Sequence, residues 1–267
     1  MNILEYQFFQ NALIGSFFAC IACGIIGTYV VTRRLVFISG GITHASFGGV
    51  GLGMYLGINP AYTAFIFAAA SALGVQWMER KEVREDSAIA LFWILGMSVG
   101  IIFCFLTPGY SSEMSTYLFG NILTITKSDI ITLATISLIL LVGTFTVYRQ
   151  IVLVAFDSEF AATRGINTTL VQGAMMLATA VTIVATLRLV GVVLVMSMLT
   201  VPQMTALLFT NSYGKCIILS TIIGYAATIS GLMLSYNINA PSGATVIICS
   251  IVIYFICRIA KKACKAQ

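Results

Sequence analysis

The sequence predicts an all-α membrane protein: one domain over residues 1–267, built as a polytopic bundle of about nine transmembrane helices, with the N-terminus outside and the C-terminus cytoplasmic. Three observations carry this. The chain is 59% hydrophobic and only 9% charged, where a soluble domain carries roughly a quarter charged residues. Apolar runs of about 20 residues recur along its length, each long enough to cross a ~30 Å hydrocarbon core. These runs are continuous rather than alternating, which excludes the pattern of a β-barrel. Twelve of the fourteen Lys and Arg residues fall on one side once the runs are threaded, as the bias of basic residues toward cytoplasmic loops requires.

The predicted spans are 7–31, 36–57, 60–78, 88–107, 130–148, 170–187, 190–209, 217–236 and 243–260. Arg33 and Arg34 after the first span set the inside. "ERKEVRED" (79–86), the 149–169 segment, "TNSYGK" and the tail "CRIAKKACK" follow on the same side, and only Lys127 and Arg188 fall outside. Just "LRL" separates spans six and seven, so the count drops to eight if those residues do not turn the chain. "MNILEYQFFQ" has no basic n-region or cleavage site of a signal peptide. The seven cysteines sit mostly inside apolar runs and do not read as a secreted disulfide framework. Cys20 and Cys23, at i and i+3 of the first span, read as small packing residues. Net charge +5 suits an anionic membrane surface, and nothing points to nucleic acid.

Two connections are too long for simple turns. The outer one, 108–129, has an apolar centre, predicting a segment lying in or dipping into the outer interface. Its Glu113 and Asp129 are, with Glu5, the only outside acids, and are candidates for docking an extracytoplasmic protein or attracting cations. The inner one contains "VAFDSEFAATRGIN" (154–167). A helix near 156–165 would gather Phe156, Phe160 and Ala161 on one face, with Asp157, Glu159 and Arg164 mostly off it and Gly165 at its end. Such a helix is either a membrane-hugging surface element or a docking element for a cytoplasmic partner.

The chain lacks the chemistry of several function classes. Gly214-Lys215 is followed by Cys216 and has no glycine five positions earlier, so it is not a Walker A loop. One histidine and nine scattered acids do not make a hydrolytic metal cluster, and no enzyme is predicted. Span interiors are almost free of the ionisable residues that secondary transporters use. This pattern points to a transport subunit whose energy comes from another chain, with a stand-alone channel or packing scaffold as the different-class alternative.

The single histidine, His44, lies in the second span. Gly41, Ala45, Gly49, Gly53 and Gly57 form a small-residue ridge along that helix. His44 lies on the adjacent row with Gly40 and Gly48, roughly 14 Å from the inner end. An ionisable group at that depth faces a bundle interior or a water-filled path. Imidazole suits zinc and other first-row metals, and two copies facing across a homodimer axis supply most of a site, completed by water or by the hydroxyls of Ser39 and Thr43. The bland alternative is a neutral imidazole bonded to a carbonyl, Thr43 or Ser46. Met196, Met198 and Met204 read as core fillers, although thioethers can also be soft ligands.

Several stretches in order resemble the membrane permease subunits of bacterial ABC importers for zinc, manganese and iron: "RRLVFISGGITHASFGGVGLG", "EDSAIALFWILGMSVGIIF", "STYLFGNILTIT", "AFDSEFAATRGIN", "RLVGVVLVMSMLTVPQMTA" and "APSGATVII". The resemblance implies a bacterial plasma-membrane protein working as two copies, with two ABC ATPase subunits on the cytoplasmic face and an extracytoplasmic metal-binding protein delivering the ion. No cofactor is held permanently, and ATP is bound by the partner. The resemblance also implies a coupling helix at "AFDSEFAATRGIN" and a metal-contacting Asp/His pair whose His matches His44 and whose Asp position is Gly40. A glycine there makes the site less anionic and favours zinc over manganese. An iron chelate or cobalamin is the alternative cargo.

Overall fold

The computed structural model describes residues 6–79, 81–107, 120, 122 and 125–265. Among these residues the chain is helical throughout, without strands. The elements are α1 (Gln7–Thr32), α2 (Val36–Leu56), α3 (Pro60–Glu79), α4 (Glu85–Leu106), α5 (Lys127–Thr146), α6 (Tyr148–Phe156), α7 (Ser158–Thr163), α8 (Thr168–Met198), α9 (Val201–Ala206), α10 (Tyr213–Ile238) and α11 (Ser242–Lys265). Seven of them contain stretches long and apolar enough to cross a membrane. α2 is long enough, at about 32 Å for its 21 residues, but its glycines and hydroxyls dilute it. It tolerates this because most of its surface is buried against other helices.

Local sequence sets the helix ends. Gly57 adopts a left-handed φ of +66° just past α2, and Asn59 and Pro60 restart the chain, with Asn59 Oδ1 accepting from Ala61 N at 3.0 Å. Thr126 and Asp129 form a reciprocal capping box on α5. Asn167 caps α8, accepting from Leu170 N. Asn239 ends α10 in the left-handed conformation.

The seventh predicted span, 190–209, is not one helix of span length. The backbone breaks inside α8 at Gly191 (φ 77°, ψ 164°), runs helically to Met198, turns at Leu199–Thr200, and resumes as the short α9 with Pro202 in its first turn. Gln203 holds this broken segment to α1. Its Nε2 donates to Cys23 O at 2.8 Å and to Met198 O at 3.2 Å, one of the carbonyls freed by the break. The segment follows α1: Leu189 lies against Gly15, and Leu199 and Gln203 against Gly27. A hydropathy window averages over such breaks, so the sequence reading made one helix of this stretch.

Two ends of the bundle are distinct. At one, Arg33 at the foot of α1 donates to Val154 O of α6 at 3.3 Å, Tyr148 packs on Tyr213, and Lys261 of α11 donates to Leu208 O. At the other, Gly120 sits against Val190–Gly191, and Ile125 against Gly15. Ile122 is fully buried there. α4 and α5 turn large apolar side chains outward, Phe105 and Phe145 among them, as lipid-facing helices do.

Candidate functional site

The site begins with how α2 is held. Its glycines are contact points on two sides. A Cβ on Gly48 would meet Gly96 O at 2.7 Å, and one on Gly51 would meet Gly100 O at 2.5 Å, so α2 and α4 cross backbone to backbone. Gly49 and Gly53 approach Thr63, Ala64 and Pro60 of α3 equally closely. Such contacts need glycine because no Cβ fits between the backbones. Of the predicted ridge, Gly41 and Ala45 meet α4 and Gly49 and Gly53 meet α3, while Gly57 lies past the helix with no atom within 4 Å of an added Cβ. Gly48 does not leave space beside His44, because Gly96 and Phe67 fill it.

Gly96 lies against the Ala45 backbone, and Trp93 is one turn earlier on α4. The indole stacks on the His44 imidazole, with ring centroids 4.1 Å apart and planes 10° apart. His44 is half-buried, as are Trp93 and Met196. The Nδ1 of His44 is itself buried and has no hydrogen-bond partner. Ser16 Oγ, Tyr29 Oη and Ser197 Oγ are among the other buried polar atoms without a partner. One turn before His44, a Cβ on Gly40 would lie 2.6 Å from Met196 Cε, 3.4 Å from its Sδ and 3.8 Å from Trp93 Cζ3. Imidazole, indole and thioether thus line one edge of the bundle.

Ser39 and Thr43 are fully buried and donate within their own helix, to Val36 O and Ser39 O, both at 2.7 Å. Neither is bonded to the imidazole Nδ1. Trp93 and Met196 meet at Gly40, and sequence reasoning missed both as a pair, because they come from α4 and from the stretch after Gly191. Of the three methionines, Met198 is core, Met196 half-buried and Met204 exposed. Cys20 and Cys23 are buried free thiols. Among the described residues no three His, Cys, Asp or Glu groups cluster to hold a metal ion.

The predicted helix near 156–165 is two helices. Asp157 is extended (φ −149°, ψ 98°) and caps α7, its Oδ1 accepting from Phe160 N at 2.8 Å. Phe156 therefore ends α6 and does not share a helical face with Phe160. Ala161 is fully buried, while Phe156 and Phe160 are 64% and 47% exposed. Glu159, Arg164 and Gly165 are exposed as well. The Arg164 guanidinium lies over the Phe160 ring at 5.4 Å, and Gly165 turns the chain at φ +76°. The result is an exposed elbow held to the bundle by Ala161 and Ile166.

At the opposite end, Asp129 borders a cleft of about 400 Å³ between α3, α5 and α8 that Asn59, Tyr62 and Leu189 also line. Its carboxylate closes the α5 cap with Thr126. Glu113 lies outside the described residues.

Comparison with known proteins agrees with this architecture. An uncharacterized membrane protein of Synechocystis is 36% identical over 257 residues, covering 96% of this chain and 92% of the relative. A protein of Listeria monocytogenes named as the manganese transport system membrane protein MntC is 31% identical over 256 residues, covering 96% and 91%. Among solved structures, PsaBC from Streptococcus pneumoniae in complex with Fab superimposes with a TM-score of 0.87 at 25% identity, covering 96% of this chain and 92% of that one. The model of the ABC 3 transport family matches residues 5–261, and the chain belongs to that family.

Proposed function

We propose that the chain is the membrane permease of an ABC importer that carries a divalent metal ion into the cytoplasm, zinc in preference to manganese or iron, past His44. It works as two copies, driven by ATPase subunits bound at the Arg33 end and supplied by an extracytoplasmic metal-binding protein at the Asp129 end. The observation that carries this reading is the His44 imidazole, half-buried at a bundle edge with Nδ1 unsatisfied. One imidazole cannot close a site, and its position at an edge favours a second copy bringing another.

The bundle polarity supports the orientation, because Arg33, Arg34, Arg149, Lys215 and Lys261 belong to the segments at the end where Val154 and Leu208 are tied in. The likeness to a manganese-transport protein favours a divalent cation as cargo. The local donors favour zinc within that class, since imidazole binds it better than manganese and no carboxylate stands at position 40. The close α2–α3–α4 packing favours a narrow path over one for a chelate. The exposed elbow at Phe156–Gly165 has the aromatic and charged residues of a docking element.

The test is uptake of radioactive Zn²⁺, Mn²⁺ and Fe²⁺ into proteoliposomes holding the permease with its ATPase, each ion delivered by the binding protein. ATP-dependent Zn²⁺ uptake that stops when the ATPase is inactivated is expected. Equal uptake without ATPase would identify a stand-alone channel instead.

A further inference from the structure

We propose that the Met196 thioether is a second donor to the transported ion beside His44 and sets the preference for zinc over manganese; this rests on the reading of His44 as the residue the ion passes. Met196 belongs to the stretch between the two backbone breaks, Gly191 and Thr200. Its neighbours Val195, Met198 and Leu199 are core residues, but Met196 itself is half-buried. Its tip enters the space that a side chain at residue 40 would take, with Cε 2.6 Å and Sδ 3.4 Å from the Cβ position of Gly40. Trp93 joins the two donors: its ring face stacks on His44 at 4.1 Å, and its edge comes within 3.8 Å of the same Cβ position.

The chemistry follows from what surrounds this edge. The acids of α4, Glu85 and Asp86, begin that helix, about 10 Å along its axis from Trp93, and α2 carries none. The side chains nearest Gly40 and His44 on these elements therefore offer an imidazole and a thioether rather than a carboxylate. Imidazole and sulfur donors suit zinc, whereas manganese seeks carboxylate, carbonyl and water oxygens. A flexible Met also adapts as an ion arrives and leaves, and a path needs binding weak enough to release.

The experiment compares Zn²⁺ and Mn²⁺ uptake by wild type, Met196→Leu and His44→Ala in the reconstituted complex at matched permease and ATPase levels. Leucine keeps the apolar volume and removes the sulfur. Met196→Leu is expected to lower the Zn²⁺:Mn²⁺ uptake ratio roughly tenfold, the order by which groups around metal sites change affinity, with Mn²⁺ uptake little altered. An unchanged ratio in Met196→Leu, alongside loss of uptake in His44→Ala, overturns the thioether role and leaves the His44 reading standing. Full uptake by His44→Ala overturns both. If Met196→Leu does not accumulate in the membrane, Gly40→Ala decides: its methyl must displace the flexible Met196 tip, so a ratio equal to wild type overturns the proposal and a lowered one supports it.

Discussion

At the scale of single residues, the proposed ion path makes Gly40 the position to change. The atoms nearest a Cβ added there are the far end of Met196 and the edge of Trp93, and both are side chains rather than backbone. Gly40→Asp is therefore tolerated and brings an anionic oxygen donor one turn from His44. We expect it to shift uptake toward Mn²⁺ by about tenfold in the Zn²⁺:Mn²⁺ ratio, read from competition between the two isotopes; an unaltered ratio contradicts an ion path at this level. The imidazole adds a pH dependence of fixed sign. Protonation removes its lone pair and adds repulsion, so uptake falls as pH is lowered through the histidine range, about 6.5 for a free side chain. Uptake measured against pH in the wild type should show this acid limb, and uptake that rises as pH is lowered counts against His44 as a ligand.

At the scale of elements, α2 and α7 make opposite demands. α2 is clamped by backbone contacts, so Gly49→Ala drives a methyl into Thr63 and Ala64 of α3 and should cost about 1–3 kcal/mol. Gly143→Ala in α5 has no atom within 4 Å of the new methyl and should be neutral or slightly stabilising. Thermal unfolding in detergent separates the two, and equal melting temperatures would refute the clamp. α7 depends on its cap and turn. Gly165→Ala meets no steric neighbour but must hold φ near +76°, at about 1–2 kcal/mol. Together with Phe160→Ala it should leave ATP hydrolysis intact and lower uptake severalfold. Uptake that keeps pace with hydrolysis argues against the elbow as the coupling element. The contrast also explains what was legible in the sequence. The helices α1 to α4 begin and end within a few residues of the predicted spans, because hydropathy and the Gly57–Asn59–Pro60 turn are local signals. The boundary read at "LRL" falls two residues before the break at Gly191, but the Leu199–Thr200 turn was not legible, since it depends on Gln203 bridging Met198 O to Cys23 O of α1, a tertiary event. Asp157 was a missed local signal: a short acid three residues before Phe160 reads as an N-cap, which splits the supposed common face of Phe156 and Phe160.

At the scale of the whole molecule, the proposed function makes the site one half of a pair. His44, Trp93 and Met196 open at the edge of one chain, and Phe37, seven residues before His44 and so on the same helical face, is 72% exposed. Two copies meeting on this face would bring two imidazoles and two thioethers to a common axis. Phe37→Cys should then form a reducible cross-link between copies in the membrane, while Phe145→Cys, 83% exposed on α5, should not. Cross-linking at Phe145 alone would require a different pairing. Whether the ion passes His44 is read from uptake by His44→Ala. The measurement is ATP-driven uptake of radioactive Zn²⁺ into proteoliposomes with matched permease, ATPase and binding protein, wild type beside His44→Ala. The account predicts that the variant assembles normally and loses Zn²⁺ uptake; uptake at the wild-type rate by an assembled His44→Ala complex would contradict it.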